Sequence, residues 1–123
     1  MVVAGVLQMV DVKASGSVKD YYQDDCAVQV YMARKAGLPL AELALAHLDT
    51  KWVYPGGGDY KGLLVENDLT KDVFGRAKEV EEWIATARTV ASKRKEPESG
   101  TGSHCHDPYD CGFVGYCESL REA

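Results

Sequence analysis

The sequence predicts a mixed α/β domain, because apolar runs rich in β-branched residues alternate with segments of helical periodicity. The first apolar run spans Val2 to Lys13, and a helical pattern follows from about Val18 to Ala36. A second apolar run then covers Leu40 to Tyr54. A strand, a helix and a strand in this order predict a right-handed parallel crossover.

The first helix is expected to begin after Ser17, a good N-cap residue, and to stop at Gly37. Cys26 lies among small apolar residues, so we expect it to be buried as a small hydrophobe rather than to act as a ligand. The positions that fall near one stripe at helical spacing are Val18, Tyr21, Val28, Tyr31, Met32 and Lys35.

The run from Leu40 to Tyr54 is apolar on both faces in its first half, which is typical of a central strand. His47 is expected to be a half-buried residue of this strand. Pro55 to Asp59 reads as a turn or loop, since it contains three glycines. Leu63 to Glu66 is predicted to be a short strand that forms a hairpin with Lys51 to Tyr54.

A long helix is predicted from Asp68 or Thr70 to about Lys93. Its packing stripe repeats at helical spacing through Val73, Ala77, Val80, Ile84, Ala87 and Ala91. The predicted order is therefore strand–helix–strand–strand–helix, followed by a cysteine-rich tail. We expect residues 1–96 to form the folded core, residues 97–103 a linker and residues 104–123 the tail.

Composition limits the classes of function. The chain has 123 residues, 46% of them hydrophobic, and a formal net charge of −5. An acidic balance argues against broad, sequence-independent binding of nucleic acid by the whole domain, but clustered carboxylates remain suited to metal ions. No apolar run approaches a membrane span and no signal peptide is recognisable, so we expect a cytoplasmic protein without a membrane partner.

Asp11 and Lys13 stand two residues apart at the end of the first strand, so their side chains should share one face. A carboxylate and an ammonium in this arrangement can hold a divalent metal and stabilise negative charge on a phosphate. The alternative is a surface ion pair of little consequence. Asp25 and Gln29 lie four apart on the next helix, either as a solvated polar pair or as a polar row beside this strand end.

Three cysteines follow one another as C-x5-C-x5-C near the end of the chain: Cys105, Cys111 and Cys117. Three thiolates need a fourth ligand to hold either zinc or a [4Fe–4S] cluster. The residues that could supply it are Cys26, His104 and His106. A disulfide plus a free thiol is the alternative, and the spacing does not separate iron–sulfur from zinc.

These motifs, taken in order, resemble the RecB-like nucleases of the PD-(D/E)XK superfamily that carry an iron–sulfur cluster. The resemblance rests on D-V-K-A-S at 11–15, D-x3-Q-x-Y at 25–31, L-A-H-L-D at 45–49 and the cysteines at 105–117. It covers nearly the whole chain. It implies a partial restriction-endonuclease-like core and a hydrolase that cuts DNA with Mg²⁺ or Mn²⁺.

The resemblance also implies roles for individual residues. Asp11 would bind the metal, Lys13 would be the catalytic lysine and Gln29 would match the helix glutamine near the active site. The three tail cysteines would supply three of the four ligands of a [4Fe–4S] cluster, with zinc as the alternative. Possible accessory residues are Ser15, Asp25 and Tyr31.

Two parts of the family pattern are missing. The superfamily has another metal-binding aspartate on the strand before D-x-K, and the relatives draw a first cluster cysteine from upstream, but neither precedes Asp11 here. We therefore expect a chain truncated at its N-terminus that holds the later part of a nuclease domain. The alternative functions are a non-catalytic nucleic-acid-binding or scaffold module stapled by zinc or a cluster, and a plain α/β domain with accidental cysteines.

Overall fold

The computed structural model describes residues 2–3 and 5–121 and confirms a mixed α/β architecture. The chain divides into two compact units, Met1–Ile84 and Ala85–Ala123. The first unit contains the sheet and the helices that cover it, and therefore also Asp11 and Lys13. The second contains the three tail cysteines.

The first unit is built on a mixed sheet whose strands follow one another in sequence order. These are β1 (Val2–Val3), β2 (Val6–Val12), β3 (Leu40–Leu48) and β4 (Leu64–Asp68). The two central strands, β2 and β3, are parallel, whereas β1 and β4 pair antiparallel at the two edges. The parallel pairing predicted for the first two apolar runs is thus confirmed.

The prediction of a single strand from Val2 to Lys13 is wrong at its beginning. Gly5 adopts a positive φ of 80°, a conformation that glycine tolerates because it has no Cβ, and the chain turns there. Val3 consequently pairs with Val6 across a tight antiparallel turn. Beyond that turn β2 continues to Val12, as expected, with a shift of its register against β3 between Leu7 and Gln8.

Helix α1 (Asp20–Lys35) covers one face of the sheet but begins later than predicted. Lys19, not Ser17, holds the N-cap position, and its side chain makes no capping hydrogen bond. The predicted packing stripe is partly right: Val18, Tyr21, Val28 and Tyr31 are partly buried against the core, but Met32 is exposed. The residues that α1 buries are Tyr22, Cys26, Ala27, Val30 and Ala33, which confirms the expectation for Cys26.

Strand β3 ends at Leu48, six residues before the predicted end at Tyr54. Residues 49–63 form a loop instead, because Asp49 accepts a hydrogen bond from the backbone of Lys51 and turns the chain. The predicted hairpin partner is therefore wrong: β4 pairs with β3 itself, from Leu48↔Leu64 to Ala44↔Asp68. His47 is half-buried in β3, as expected.

The long second helix is interrupted. It consists of α2 (Thr70–Val73), a 3₁₀ turn (Phe74–Arg76) and α3 (Ala77–Ala91). Glycine is unfavourable inside helices, and Gly75 lies in the 3₁₀ turn. Of the predicted stripe, Val73 and Val80 are buried in the core, while the positions beyond Ile84 are exposed.

The core of the first unit lies between α1, β3 and the α2 segment. Leu43 and Leu45 project from β3 into it and are fully buried, together with Val73 and Val80. On the opposite face of β2, Val10 and Val12 are exposed. The core therefore fixes the face of β2 that carries Asp11.

The second unit contains the C-terminal part of α3, a 3₁₀ turn (Ser103–Cys105) and helix α4 (Val114–Arg121), which the sequence pattern did not predict. The Tyr116 hydroxyl donates to both carboxylate oxygens of Glu96, at 2.9 and 2.8 Å. The backbone N–H of Cys111 donates to the carbonyl of Cys105 at 2.7 Å. Among the described residues, no helix is both long and apolar enough to cross a membrane.

Candidate metal and phosphate site

The candidate site lies at the carboxyl ends of the two parallel strands. The backbone N–H of Lys13 donates to Ala46 at 2.9 Å, and that of Leu48 donates to Ser15 at 2.8 Å. The chain after β2 therefore stays tied to the end of β3. Carboxyl ends of parallel strands are where α/β folds commonly place ligands.

One ammonium group joins two carboxylates there. Lys13 Nζ lies 3.2 Å from Asp11 Oδ2 and donates a hydrogen bond to Asp25 Oδ2 at 2.5 Å. Strand alternation places Asp11 and Lys13 on one face, as the sequence predicted, and α1 brings Asp25 over that face. Lys13 therefore brings a carboxylate of β2, Asp11, and a carboxylate of α1, Asp25, beside one ammonium group.

The environment fixes the charge of these groups. The hydrogen bond from Lys13 holds the pKa of Asp25 below its usual range, with a further contribution from Gln29. The hydrogen bonds of Lys13 to Asp25 and Asp11 raise the pKa of Lys13 despite its partial burial. The stability that this pair contributes is therefore present at neutral pH. It is lost as the pH falls through the lowered pKa of Asp25 and also as the pH rises through the raised pKa of Lys13.

The exposure of Asp11 and Lys13 suits a ligand site. The side chains of Asp11 and Lys13 are 16% and 24% exposed, so both are sheltered yet reachable from solvent. A raised pKa keeps Lys13 as an ammonium throughout the neutral range, so it can stabilise negative charge but cannot act as a base.

Cys26 and Tyr22 form the inner wall of the site. The Cys26 thiol is fully buried and donates a weak hydrogen bond to Asp11 Oδ2 at 3.7 Å. Burial, with the nearby charges of Asp11 and Asp25, raises the pKa of Cys26 to about 12. Lys13 Nζ lies 5.4 Å from the centroid of the Tyr22 ring, within the range of a cation–π contact.

The other predicted site residues divide into two groups. Gln29 hydrogen-bonds Asp25, and Ser15 hydrogen-bonds Tyr22 and thereby lowers the pKa of that phenol, so both contact site residues. Tyr31 points elsewhere: its hydroxyl donates to Glu81 at 3.4 Å, away from Lys13.

Sequence reasoning missed the position of His47. Asp11 pairs with Leu45 across the sheet, and paired residues share a face, so His47, two residues further along β3, lies on the face of Asp11. Its Nδ1 lies 3.0 Å from the carbonyl oxygen of Leu48. The alternation of Leu45 and His47 was visible in the sequence, but the register that relates it to Asp11 was not.

Among residues 2–3 and 5–121, no group of three or more His, Cys, Asp and Glu side chains is placed to hold a metal ion. Magnesium differs from zinc in this respect, because one or two carboxylates together with substrate phosphates commonly suffice for it. The pair formed by Asp11 and Asp25 fits Mg²⁺ or Mn²⁺ by this criterion.

The tail cysteines do not fit a cluster in the same way. Cys105 is buried, Cys117 is half-buried and Cys111 is exposed, and all four cysteines of the chain are free thiols. Within the described part of the chain they do not form a ligand group with one another or with a neighbouring histidine. The zinc or iron–sulfur centre therefore stays a prediction.

Thiol accessibility gives a testable consequence of this arrangement. We expect iodoacetamide at pH 8 to modify Cys111 first and to leave Cys26 unmodified until the protein unfolds, because Cys26 is buried and stays protonated. Peptide mass spectrometry after timed quenching measures both rates in one sample. Modification of native Cys26 as fast as Cys111 would contradict the packing described for α1.

Comparison of the chain with protein-family models, with curated proteins and with solved structures gives no match.

Proposed function

We propose that this chain carries a metal-dependent phosphodiester hydrolysis site, as part of a DNA nuclease with a RecB-like, restriction-endonuclease-like core. The observation that carries the proposal is the Lys13 ammonium held by Asp11 and Asp25 at the carboxyl ends of two parallel strands. Phosphoryl transfer needs positive charge and metal-binding oxygens in the same place, and this edge of the sheet offers both.

Asp11 and Asp25 would hold the Mg²⁺ or Mn²⁺ ion. When bound, the ion supplies Lewis acidity and lowers the pKa of a coordinated water. Asp11 suits the ligand role because its carboxylate is sheltered and fixed by two neighbours, Lys13 and the Cys26 thiol. Asp25 is more exposed and can exchange its contact with Lys13 for a contact with the ion.

Lys13 would contact a non-bridging oxygen of the scissile phosphate. Its permanent positive charge stabilises the negative charge that accumulates there in the transition state. Gln29 would orient Asp25 when that carboxylate exchanges Lys13 for the ion, because Gln29 hydrogen-bonds Asp25. We therefore assign Gln29 a positioning role.

We further propose a cytoplasmic location, because a reducing compartment keeps all four cysteines as the free thiols that the fold contains. In the described fold the tail cysteines are not gathered to hold a cluster. No step of the proposed reaction depends on one.

Cleavage of an end-labelled oligonucleotide tests the proposal. We expect the protein to cut DNA in the presence of Mg²⁺ or Mn²⁺, to stop when EDTA is added, and to lose this activity in Asp11→Asn, which keeps the size of the side chain but removes its charge. Asp24→Asn is the matched control, since Asp24 instead hydrogen-bonds Arg76 at 2.6 Å. DNA binding without metal-dependent cleavage would instead favour the non-catalytic module.

A further inference from the structure

The loop of residues 49–63 carries three aromatic side chains that pack against one another, and we call it the aromatic loop. The ring centroids of Tyr54 and Tyr60 lie 5.1 Å apart, with ring planes inclined by only 13°. Trp52 lies 6.1 Å from Tyr60 and 6.0 Å from Tyr54. The two tyrosines are therefore held in a stacked arrangement before any ligand binds.

Hydrogen bonds hold this arrangement in place. Trp52 Nε1 donates to the carbonyl of Lys61 at 2.7 Å, and the backbone N–H of Gly58 donates to the Tyr54 hydroxyl at 2.7 Å. The indole ring also packs over Gly62, where an added Cβ would lie 3.4 Å from it. Aromatic residues fixed in this way lose little conformational entropy when a ligand binds.

Both tyrosine rings remain exposed to solvent although hydrogen bonds within the loop fix its conformation. Tyr54 is 48% exposed and Tyr60 is 60% exposed. Trp52 is the structural residue of the three, because it is half-buried and its N–H is used inside the loop. The packing of the loop thus explains why Trp52 is present, but it leaves much of the surface of both tyrosines accessible to a ligand.

Two lysines that can contact phosphates accompany the rings, in a loop whose two lysines and two aspartates give no net charge. Lys51 and Lys61 are exposed, and within the described part of the chain neither ammonium forms an ion pair. The two acidic residues of the loop are engaged by its own backbone: Asp49 accepts from the N–H of Lys51, and Asp59 accepts from the N–H of Lys61. Two unpaired cations therefore accompany two exposed rings.

The aromatic loop begins at the sheet edge that carries the candidate site. It follows β3 directly, and Thr50 approaches the segment after Lys13 so closely that a Cβ at Gly16 would lie 2.6 Å from Thr50 Cγ2. A strand of nucleic acid that reaches the phosphate site therefore has an aromatic surface at the same edge.

We propose that the aromatic loop binds single-stranded DNA by stacking unpaired bases on Tyr54 and Tyr60, while Lys51 and Lys61 contact phosphates. Stacking on an aromatic side chain tolerates any base sequence, because every base has an aromatic face. The bases of a duplex are already stacked on one another and are not available for this contact. This inference names the substrate class of the proposed nuclease, so its biological role rests on that proposed function. The binding itself does not require catalysis.

Fluorescence anisotropy in EDTA, where no cleavage takes place, tests the inference. The probes are a labelled oligothymidylate of 12 nucleotides, an abasic oligomer with the same number of phosphates, and a duplex. We expect the wild-type protein to bind the oligothymidylate at least about fivefold more tightly than the abasic oligomer or the duplex. Two phosphate contacts predict a slope of about −1.4 in the logarithm of affinity against the logarithm of salt concentration.

The variants separate stacking from general apolar contact. Tyr60→Leu keeps an apolar side chain but loses the ring, so we expect it to bind the oligothymidylate at least about fivefold more weakly, while Tyr60→Phe binds like the wild type. Equal affinity of the wild-type protein for the abasic and thymidylate oligomers would overturn the inference, whether or not Tyr60→Leu folds. Tighter binding of a neutral glucan than of DNA would overturn it in favour of a carbohydrate surface.

Failure of the inference and failure of the proposed function give different results. If Asp11→Asn cleaves DNA like the wild type but Tyr60→Leu loses binding, the phosphate site is wrong and the aromatic loop is right. If Asp11→Asn is inactive and Tyr60→Leu binds and cuts single-stranded DNA normally, the reverse holds.

Discussion

Replacement of Lys13 by methionine is expected to lower the rate of metal-dependent DNA cleavage by about 100- to 1,000-fold, the scale on which a single preorganised charge or donor acts in other transition states. Methionine keeps the length of the apolar stem and removes the ammonium. Single-turnover kinetics with saturating protein measure the chemical step separately from binding.

Lys35→Met is the matched control. Lys35 also belongs to the first unit, but among the described residues its ion pair is a long one of 3.9 Å with Glu81, away from the site. We expect this variant to cleave at the wild-type rate. A Lys13→Met variant that cleaves as fast as Lys35→Met would show that the ammonium has no catalytic role, even if both proteins fold normally.

Replacement of Leu45 by alanine is expected to have the largest effect on stability. Leu45 is 0% exposed, projects into the core beneath α1 and pairs with Asp11 across the sheet. Truncating a fully buried leucine costs about 2–5 kcal/mol, depending on how far the surroundings relax into the cavity. Urea denaturation followed by circular dichroism measures the change in the free energy of unfolding.

Leu38→Ala removes the same atoms from an exposed position in the loop before β3. We expect the free energy of unfolding of this variant to stay within about 0.5 kcal/mol of the wild type. If the two leucine variants were equally stable, the core assignment of β3 would be wrong, and with it the face on which Asp11 is placed.

The central part of the fold follows from local patterns in the sequence. The β-branched run ending at Val12, the helical segment after it and the apolar run from Leu40 specify β2, α1 and β3, and the strand–helix–strand order implies that β2 and β3 are parallel. Side-chain alternation alone brings Asp11 and Lys13 to one face. These features depend only on residues close together in the chain.

The errors arise where the outcome depends on residues far apart in the chain. The partner of β4 is β3, not the segment from Lys51 to Tyr54, because hydrogen bonding to the continuous strand outweighs a short local hairpin. The predicted stripe of α1 lies at the margin of its buried face, and fully buried positions such as Cys26 and Val30 lie beside it, since the sheet that α1 covers sets that phase. Two further errors are local, since Gly75 and Gly5 break elements that periodicity alone predicted to continue.

The candidate site shows the same division. Asp11 and Lys13 were predicted together, whereas the hydrogen bond from Lys13 to Asp25 required the placement of α1 over the strand end. The stacked rings of Tyr54 and Tyr60 could not be predicted, because residues 51–54 were assigned to a strand. In a strand Tyr54 would be fixed on one face of a sheet, while in the loop it meets Tyr60.

Binding of Mn²⁺ tests most directly whether Asp11 and Asp25 hold a metal beside Lys13. The electron paramagnetic resonance signal of free Mn²⁺ decreases as the ion binds, so a titration gives the affinity without any need for catalysis. We predict that Asp11→Asn weakens Mn²⁺ binding by about tenfold or more, because even outer-shell partners of metal sites act on that scale, while Asp24→Asn binds like the wild type. Equal Mn²⁺ affinity in the wild type, Asp11→Asn and Asp24→Asn would contradict the assignment.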